Sequence, residues 1–506
     1  MNHRLLINSL YEMKIRPIIL LLFALVQLSL NAVAKGNVTP LSPLSYGLSE
    51  ATTGIERFRA LERCHKDAVK KNASISYSGI ESLDIEIPAD AASIPLPDEV
   101  DFAGVQLKVL NIRKNFTLFL KSASATPVQV SAEAIDSGRF NDVPELCEGL
   151  MVLIIEDKNP WVENRKGYSY GAVRKDVLVV KNGLAENSVT SPYSNKHSSP
   201  KTSFVPAGSP KAYRNLKFSR DSRSTKITYL FSINGCYDVT ISDVTVLTPQ
   251  DNDLYGDAAI QVHNSAKVRM SDVRIDGTYS QTNHYGYGIN LENVSFYTGE
   301  RLYARARWGV FGSNNVNGAV LRDCDINRFD IHCYGKDVHC YNCWFSGMYN
   351  QFSSVFGEVF FEKCSFTNFI PVLMESSYNA YTPFDLTFKN CTFNLSASRN
   401  YLVTLFGLEE AHNSRPELSR KSLPNISIRN CTVNLADDVK KWYIVNTGKV
   451  TYKETLDYIN RIEINGLKIN GKVDYKIFSS KIKTTEPLNL IARGAKMIGN
   501  ENYDRK

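Results

Sequence analysis

Beyond residue 34 the chain holds no apolar stretch long enough to span a bilayer, so no transmembrane helix is expected there. No nucleic-acid motif is present. Histidine is scarce, at 8 residues, and none falls at a tight metal-ligand spacing, so neither a metal nor a cofactor is called for. Charged residues make up only 22% against 43% apolar, which excludes a disordered chain and indicates a folded one. The 10 cysteines do not read as a dense disulfide framework, because most recur in one repeated context.

The N-terminus reads as an export signal. Met13-Lys14-Ile15-Arg16 is a basic start, with Met13 offering a second initiation point. An apolar run over 17–30 follows, and Ala32-Val33-Ala34 is a small-residue cleavage site not followed by cysteine, so lipid attachment there is excluded. The run is short for a transmembrane anchor. Removing Arg4, Lys14, Arg16 and Glu12 with residues 1–34 takes the formal charge from +7 to +5. A mildly basic exported protein suits an anionic partner such as an acidic polysaccharide.

One phrase recurs through the chain, apolar-x-apolar-x-Asn/Asp-apolar-x-apolar. It stands at 239–246 (VTISDVTV), 268–275, 319–326, 338–345, 359–366, 386–393, 426–433 and 462–469 (IEINGLKI). Alternation of period two makes each half a strand with one buried face. Asn and Asp tolerate the left-handed backbone of a bend, and Gly466 takes that place in the last copy. The position after the bend holds Cys324, Cys343, Cys364, Cys391 and Cys431. Steps of 19 and 21 residues between the first three suit one turn of a coil of short strands. Residues stacked on successive turns lie about 4.8 Å apart and point the same way, so these cysteines read as small core residues. Cys333 with Cys340, or Cys64 with Cys147, remain as pairs that could bridge. Between Val273 and Cys324 the phrase is degenerate. The step from Ile260 to Ile289 is 29 residues, as from Val244 to Val273, which makes Ile289 the strand before the phrase and 297–304 the worn copy.

A single rung cannot bury its own apolar face, so rungs must stack and the ends need caps. Ile55, Phe58, Leu61 and Cys64 fall at helical spacing and predict an amphipathic capping helix. Residues 122–230 are less regular, and 186–211, rich in Ser, Pro, Asn and Lys, predicts a long exposed loop. The expected organisation is a signal peptide (1–34), an N-terminal cap (35–80), a coil (81–480, loop-rich over 122–230) and a C-terminal cap (481–506).

The phrase, the initial helix, and IEIP followed by DFAGVQL resemble the pectate-lyase-like superfamily of right-handed parallel β-helices. Residues 308–338 also resemble a segment of β-helical bacteriophage tail proteins that act on cell-surface glycans. The resemblance implies an all-β solenoid and a polysaccharide partner. Its members include lyases, hydrolases, esterases and non-catalytic proteins, so the site must decide.

Alternation puts Asp330 and His332 outward on 329–333, Asn290 and Glu292 outward on 289–292, and Gln261 and His263 outward on 260–263. Stacked, these predict an outward column along which a polymer can lie. Glu292 and Asp330 would be two rungs apart, about 9 to 10 Å, at the upper edge for an inverting pair of carboxylates. One would protonate the leaving oxygen and the other activate water, with His332 tuning the proton affinity. Around them gather Tyr285, Tyr287, His284, Arg305, Arg307 and Trp308, flat faces and guanidinium groups suited to sugar rings and carboxylates. Glu375 is a further outward candidate. Asp257 resembles the aspartate-led strand of polygalacturonase-type hydrolases, although the paired aspartates of that pattern are missing, as is the calcium-binding cluster of pectate lyases. Arg305, Arg307 and Arg328 could neutralise a uronate in an elimination. The expectation is therefore polysaccharide cleavage, with hydrolysis first, β-elimination second and non-catalytic glycan binding as the alternative of a different class.

Overall fold

The computed structural model describes residues 39–112, 115–162, 172–194, 198–220, 228–247, 259–276, 287–304, 309–347, 349–352, 355–367, 370–374, 384–396, 403–408, 424–446, 461–471, 475–479, 482–483, 489–493 and 503–504. The export signal lies outside them. Among the described residues the main sheet has 31 strands, and all of its pairings are parallel. The chain is a parallel β-helix.

The bends of the repeated phrase explain the coil. Asp243, Asp272, Asp323, Asn342, Asn390, Asn430 and Gly466 all have φ between +51° and +68°. The left-handed conformation is cheapest for Gly, Asn and Asp, which is why the phrase needs them. The worn copy behaves as expected. Val268 pairs with Tyr297 and Tyr297 with Ala319, so Arg301 occupies the bend at φ +50°. Arg301 also bonds Asp272 of the previous bend at 2.6 Å, an exposed pair that ties two bends together. A second corner carries Asn264, Asn293 and Asn315, again at positive φ. Asn293 donates its amide to the Asn264 carbonyl at 2.9 Å.

The five ladder cysteines are buried inside the coil, and all ten cysteines are free thiols. Neither disulfide considered from the sequence is formed. Next to the ladder run stacked rings: Phe345, Phe366 and Phe393 have successive centroids 5.2 Å apart. Phe366 touches both neighbours and also packs edge-on to Phe361 and Phe388. Phe366→Ala is expected to cost about 3–5 kcal/mol by removing a ring from four contacts. A denaturant midpoint unchanged from the parent would contradict this.

The coil is capped by the helix Gly54–Lys71. Thr53 and Glu56 form a capping box, and Asn72 closes the other end in the left-handed conformation. Phe58, Leu61 and Cys64 face the coil as the spacing predicts, but Ile55 is exposed because it stands in the first turn, beyond the edge of the sheet. The helix also buries His65. Its Nδ1–H donates to the Pro95 carbonyl at 3.1 Å, and its Nε2 accepts the Tyr77 hydroxyl at 2.8 Å. Burial pushes the imidazole down to about 3, against the opposing pull of the Pro95 bond. A folded-state pKa below the unfolded value means the neutral ring stabilises the fold above about pH 6.5. That contribution, on the order of 4 kcal/mol, is lost as the pH falls toward 3. The parent should therefore melt with a steeper acid slope between pH 6.5 and 3.5 than His65→Gln; parallel slopes would refute the assignment.

The irregular region is a small second layer. The chain leaves the coil after the strand Phe116–Ser122 and returns at Lys211–Arg220. Between them Thr126–Val128, Leu150–Val162, Ala172–Lys181, Leu184–Ala185 and Pro200–Pro206 form a five-stranded antiparallel sheet. One face covers Ile135, Phe140, Leu146 and Tyr193 with its own core. The other lays Val152, Val177 and Val179 on Ala266 and Tyr237 of the coil. The expected exposed loop over 186–211 is thus corrected. Pro200–Pro206 is a paired strand, and Val189, Thr190, Ser191 and Tyr193 are buried. Their polar sequence is satisfied internally, since Asp176 accepts the Thr190 and Tyr193 hydroxyls at 2.6 and 2.9 Å. No described helix is long and apolar enough to cross a membrane.

Candidate active site

Two outward columns run up one face of the coil. In the first, Gln261 is opposite Asn290, Asn290 opposite Gly312, Gly312 opposite Asp330, and Asp330 opposite Gln351. In the second, His263 is opposite Glu292 and Glu292 opposite Asn314. Glu292 and Asp330 therefore belong to different columns. They differ by two rungs and two residues, about 12 Å between Cα atoms on ordinary strand geometry. The single-column pairing expected from alternation is corrected, because Asp330 aligns through Gly312 with Asn290, two residues before Glu292 on the same strand.

Glu292 sits where the coil meets the inserted sheet. Its Oε1 accepts the Lys175 ammonium at 2.6 Å, and its Oε2 lies 3.6 Å from His263 Nδ1. The His263 ring, and with it the Lys175 ammonium, outweighs burial and holds the Glu292 carboxyl at about 2. At neutral pH Glu292 is a carboxylate with no proton to give. It keeps 33% of its side chain exposed.

Asp330 is fully buried rather than exposed. Arg328, also buried, reaches it through Nε at 2.6 Å, and the Gln351 backbone N–H donates to Oδ1 at 3.1 Å. Arg328 Nη2 donates to Gln351 Oε1 at 3.2 Å, and the guanidinium stacks 4.1 Å over the Tyr349 ring. Burial opposes the Arg328 charge, but the Asp330 carboxylate outweighs it and holds the guanidinium above its ordinary pKa. Arg328, expected as a ligand for a uronate, is instead spent on an internal pair. Outward side chains on a strand are exposed only where no neighbour covers them, and here Arg328 and Gln351 do.

Beside this pair the Tyr287 hydroxyl meets His332 Nε2 at 2.8 Å, with ring centroids 5.5 Å apart. The same nitrogen is 4.0 Å from Asp330 Oδ2. His332 is 13% exposed. Tyr287 reaches it by crossing Gly312: a Cβ there would stand 2.3 Å from the Tyr287 ring. Glycine inside a strand signals such a close approach.

Asp257, His284, Tyr285, Arg305, Arg307, Trp308 and Glu375 lie outside the described residues. Among the described residues no cluster of His, Cys, Asp or Glu is arranged to hold a metal ion. Lys175 was not foreseen. Its only signal is local: Val173, Lys175, Val177 and Val179 share one face of a strand. A lone lysine on an otherwise apolar face must meet a partner when that face docks. Gln351 and Tyr349 were missed as well, because nothing in the sequence places them beside Arg328.

With this geometry in hand, the chain can be set against known structures. It aligns with the tailspike protein gp49 of Pseudomonas phage LKA1 at 13% identity and a TM-score of 0.57, covering 92% of this chain and 84% of that one. It aligns with the tailspike gp61 of Pseudomonas phage phi297 at 12% identity and a TM-score of 0.51, covering 91% and 81%. These likenesses establish the parallel β-helix. No family model matches the chain, and no curated protein matches it by sequence.

Proposed function

We propose that this chain degrades a uronate-containing polysaccharide by β-elimination in the groove beside the inserted sheet. The observation that carries the reading is the Tyr287–His332 bond at 2.8 Å, in a polar outward column. Elimination needs one group that removes the proton beside the uronate carboxylate and one that protonates the leaving oxygen. His332 takes the Tyr287 proton, and the phenolate removes the substrate's C5 proton. The electron pair forms the C4–C5 double bond as the C4–O4 bond breaks, and Tyr287 returns its proton to O4. Asp330, 4.0 Å from His332 Nε2, stabilises the imidazolium formed in the first step. The Gln261 and Asn290 amides stand in the adjoining column to receive the substrate carboxylate.

Hydrolysis, the first expectation from sequence, is the second reading. Glu292 is a partly exposed carboxylate, ionised as a water-activating base must be, although its pairing with Lys175 and His263 weakens it as a base. Its expected acid partner, Asp330, is instead sealed against Arg328. The discriminating measurement is incubation with polygalacturonate, alginate and neutral dextran. Absorbance growing near about 235 nm marks the unsaturated product of elimination. Reducing ends without that absorbance would replace the reading by hydrolysis. Retention on the glycans with neither product would make the chain a binding protein.

Gly312→Ala gives an internal check. The added methyl would collide with the Tyr287 ring, so the rate is expected to fall by roughly 10²-fold, the scale of losing acid–base alignment. Circular dichroism should stay unchanged, and a fully active variant would detach Tyr287 from the chemistry.

A further inference from the structure

A different side of the coil, after the bend column, carries a line of outward residues that the groove does not use. In register these are Arg274, Tyr303, Asp325, Trp344, Ser365 and Thr392. Ser and Thr are what a solvated sheet face ordinarily presents, and Trp344 breaks the series. The residue is 42% exposed, while its indole N–H donates to Thr367 Oγ1 at 3.4 Å. Tyr303, two rungs away, is braced by the Arg274 guanidinium 4.1 Å over its ring. Both rings are thus held in place, so little rotamer freedom remains to be lost on binding.

We propose that Trp344 and Tyr303 form a second, non-catalytic strip that binds a polysaccharide chain running along the coil axis. Two rungs set the rings about 9.6 Å apart, the length of a disaccharide. Aromatic faces stack on the apolar faces of pyranose rings, and a fixed rise per rung repeats at the spacing of a regular polymer. The inference shares the ligand class of the proposed function but not its chemistry.

The test is affinity electrophoresis through gels containing polygalacturonate, alginate or dextran, run in an inactive His332→Asn background so that binding is read without cleavage. Trp344→Ala, and the double variant with Tyr303→Ala, should weaken retardation by about tenfold each in the best-retained polymer. In the active background Trp344→Ala should leave the rate on short oligosaccharides at the parent value. Unchanged retardation of both variants, or no retardation of the parent by any polymer, overturns the strip. So does a fall in molecular mass by light scattering on Trp344→Ala, which would make this face an interface between copies. Lost retardation with a preserved strip-independent rate supports it even if the cleavage product proves not to be an elimination product.

Discussion

Replacing Arg328 with methionine is expected to destabilise the coil by about 3–5 kcal/mol, the scale of an uncompensated buried charge. Arg328 and Asp330 are both out of solvent, 2.6 Å apart. Removing the guanidinium takes from the buried Asp330 carboxylate the opposite charge that reaches it at 2.6 Å. The damage should spread to the next rung. Gln351 loses the partner of its side-chain oxygen, while its neighbour Asn350 still accepts the Phe329 N–H at 2.9 Å and donates to the Pro371 carbonyl at 2.8 Å. Urea unfolding of Arg328→Met, Asp330→Leu and the double variant checks this. The double variant should recover most of the loss, because an apolar pair replaces a buried ion pair at little cost. If the single variant unfolds within about 1 kcal/mol of the parent, the pair behaves as a solvent-screened surface pair and not as a buried one.

The second large effect falls on turnover. Tyr287→Phe removes the hydroxyl that His332 holds and nothing else in the groove, and the elimination rate should drop by roughly 10²–10⁴. His332→Gln should cost a similar factor, and the double variant little more, because the two act as one proton-transfer unit. KM should move little in either, since neither group is assigned the substrate carboxylate. Rates are read at the absorbance of the unsaturated product. A Tyr287→Phe variant within about threefold of the parent would remove the dyad from the mechanism, and Glu292→Gln would then become the decisive substitution. Glu292→Gln is also informative on its own. The carboxyl is held at about 2, so its ion pair with Lys175 supports the docking of the inserted sheet fully above about pH 4.5, and that support is lost progressively as the pH falls from there toward 2.

Much of the fold was legible because the code for a rung is local. Apolar alternation marks the strands, and Asn, Asp or Gly marks the left-handed bend. Even the worn copy could be placed, since Ile260 to Ile289 repeats the 29-residue step from Val244 to Val273, and the structure sets Val268 opposite Tyr297 accordingly. The cysteine column was legible as core for the same reason. The inserted sheet was not, because alternating strands read alike whether they stack in a coil or pair antiparallel. A polar run such as 186–194 can be solvated or folded onto Asp176, and its composition does not say which.

The candidate site shows where the local code stops. Alternation correctly separates Phe329 and Ile331 from Asp330, but says nothing of what lies over Asp330. Lys175 reaches Glu292 across 117 residues of sequence, and Tyr287 reaches His332 across 45. Outwardness is a property of one strand, whereas exposure depends on every neighbour.

The sequence by itself determined the parallel β-helix, its rung positions, its capping helix and the outward placement of Gln261, His263, Asn290 and Glu292. These follow from backbone preferences and side-chain period within a few residues. Only the tertiary structure decided that Asp330 is sealed with Arg328, that Glu292 is pinned as a carboxylate by Lys175 and His263, and that Tyr287 crosses Gly312 to His332. Those outcomes rest on charge, burial and close approach between segments far apart in the chain, quantities that exist only once the rungs have stacked and the inserted sheet has docked.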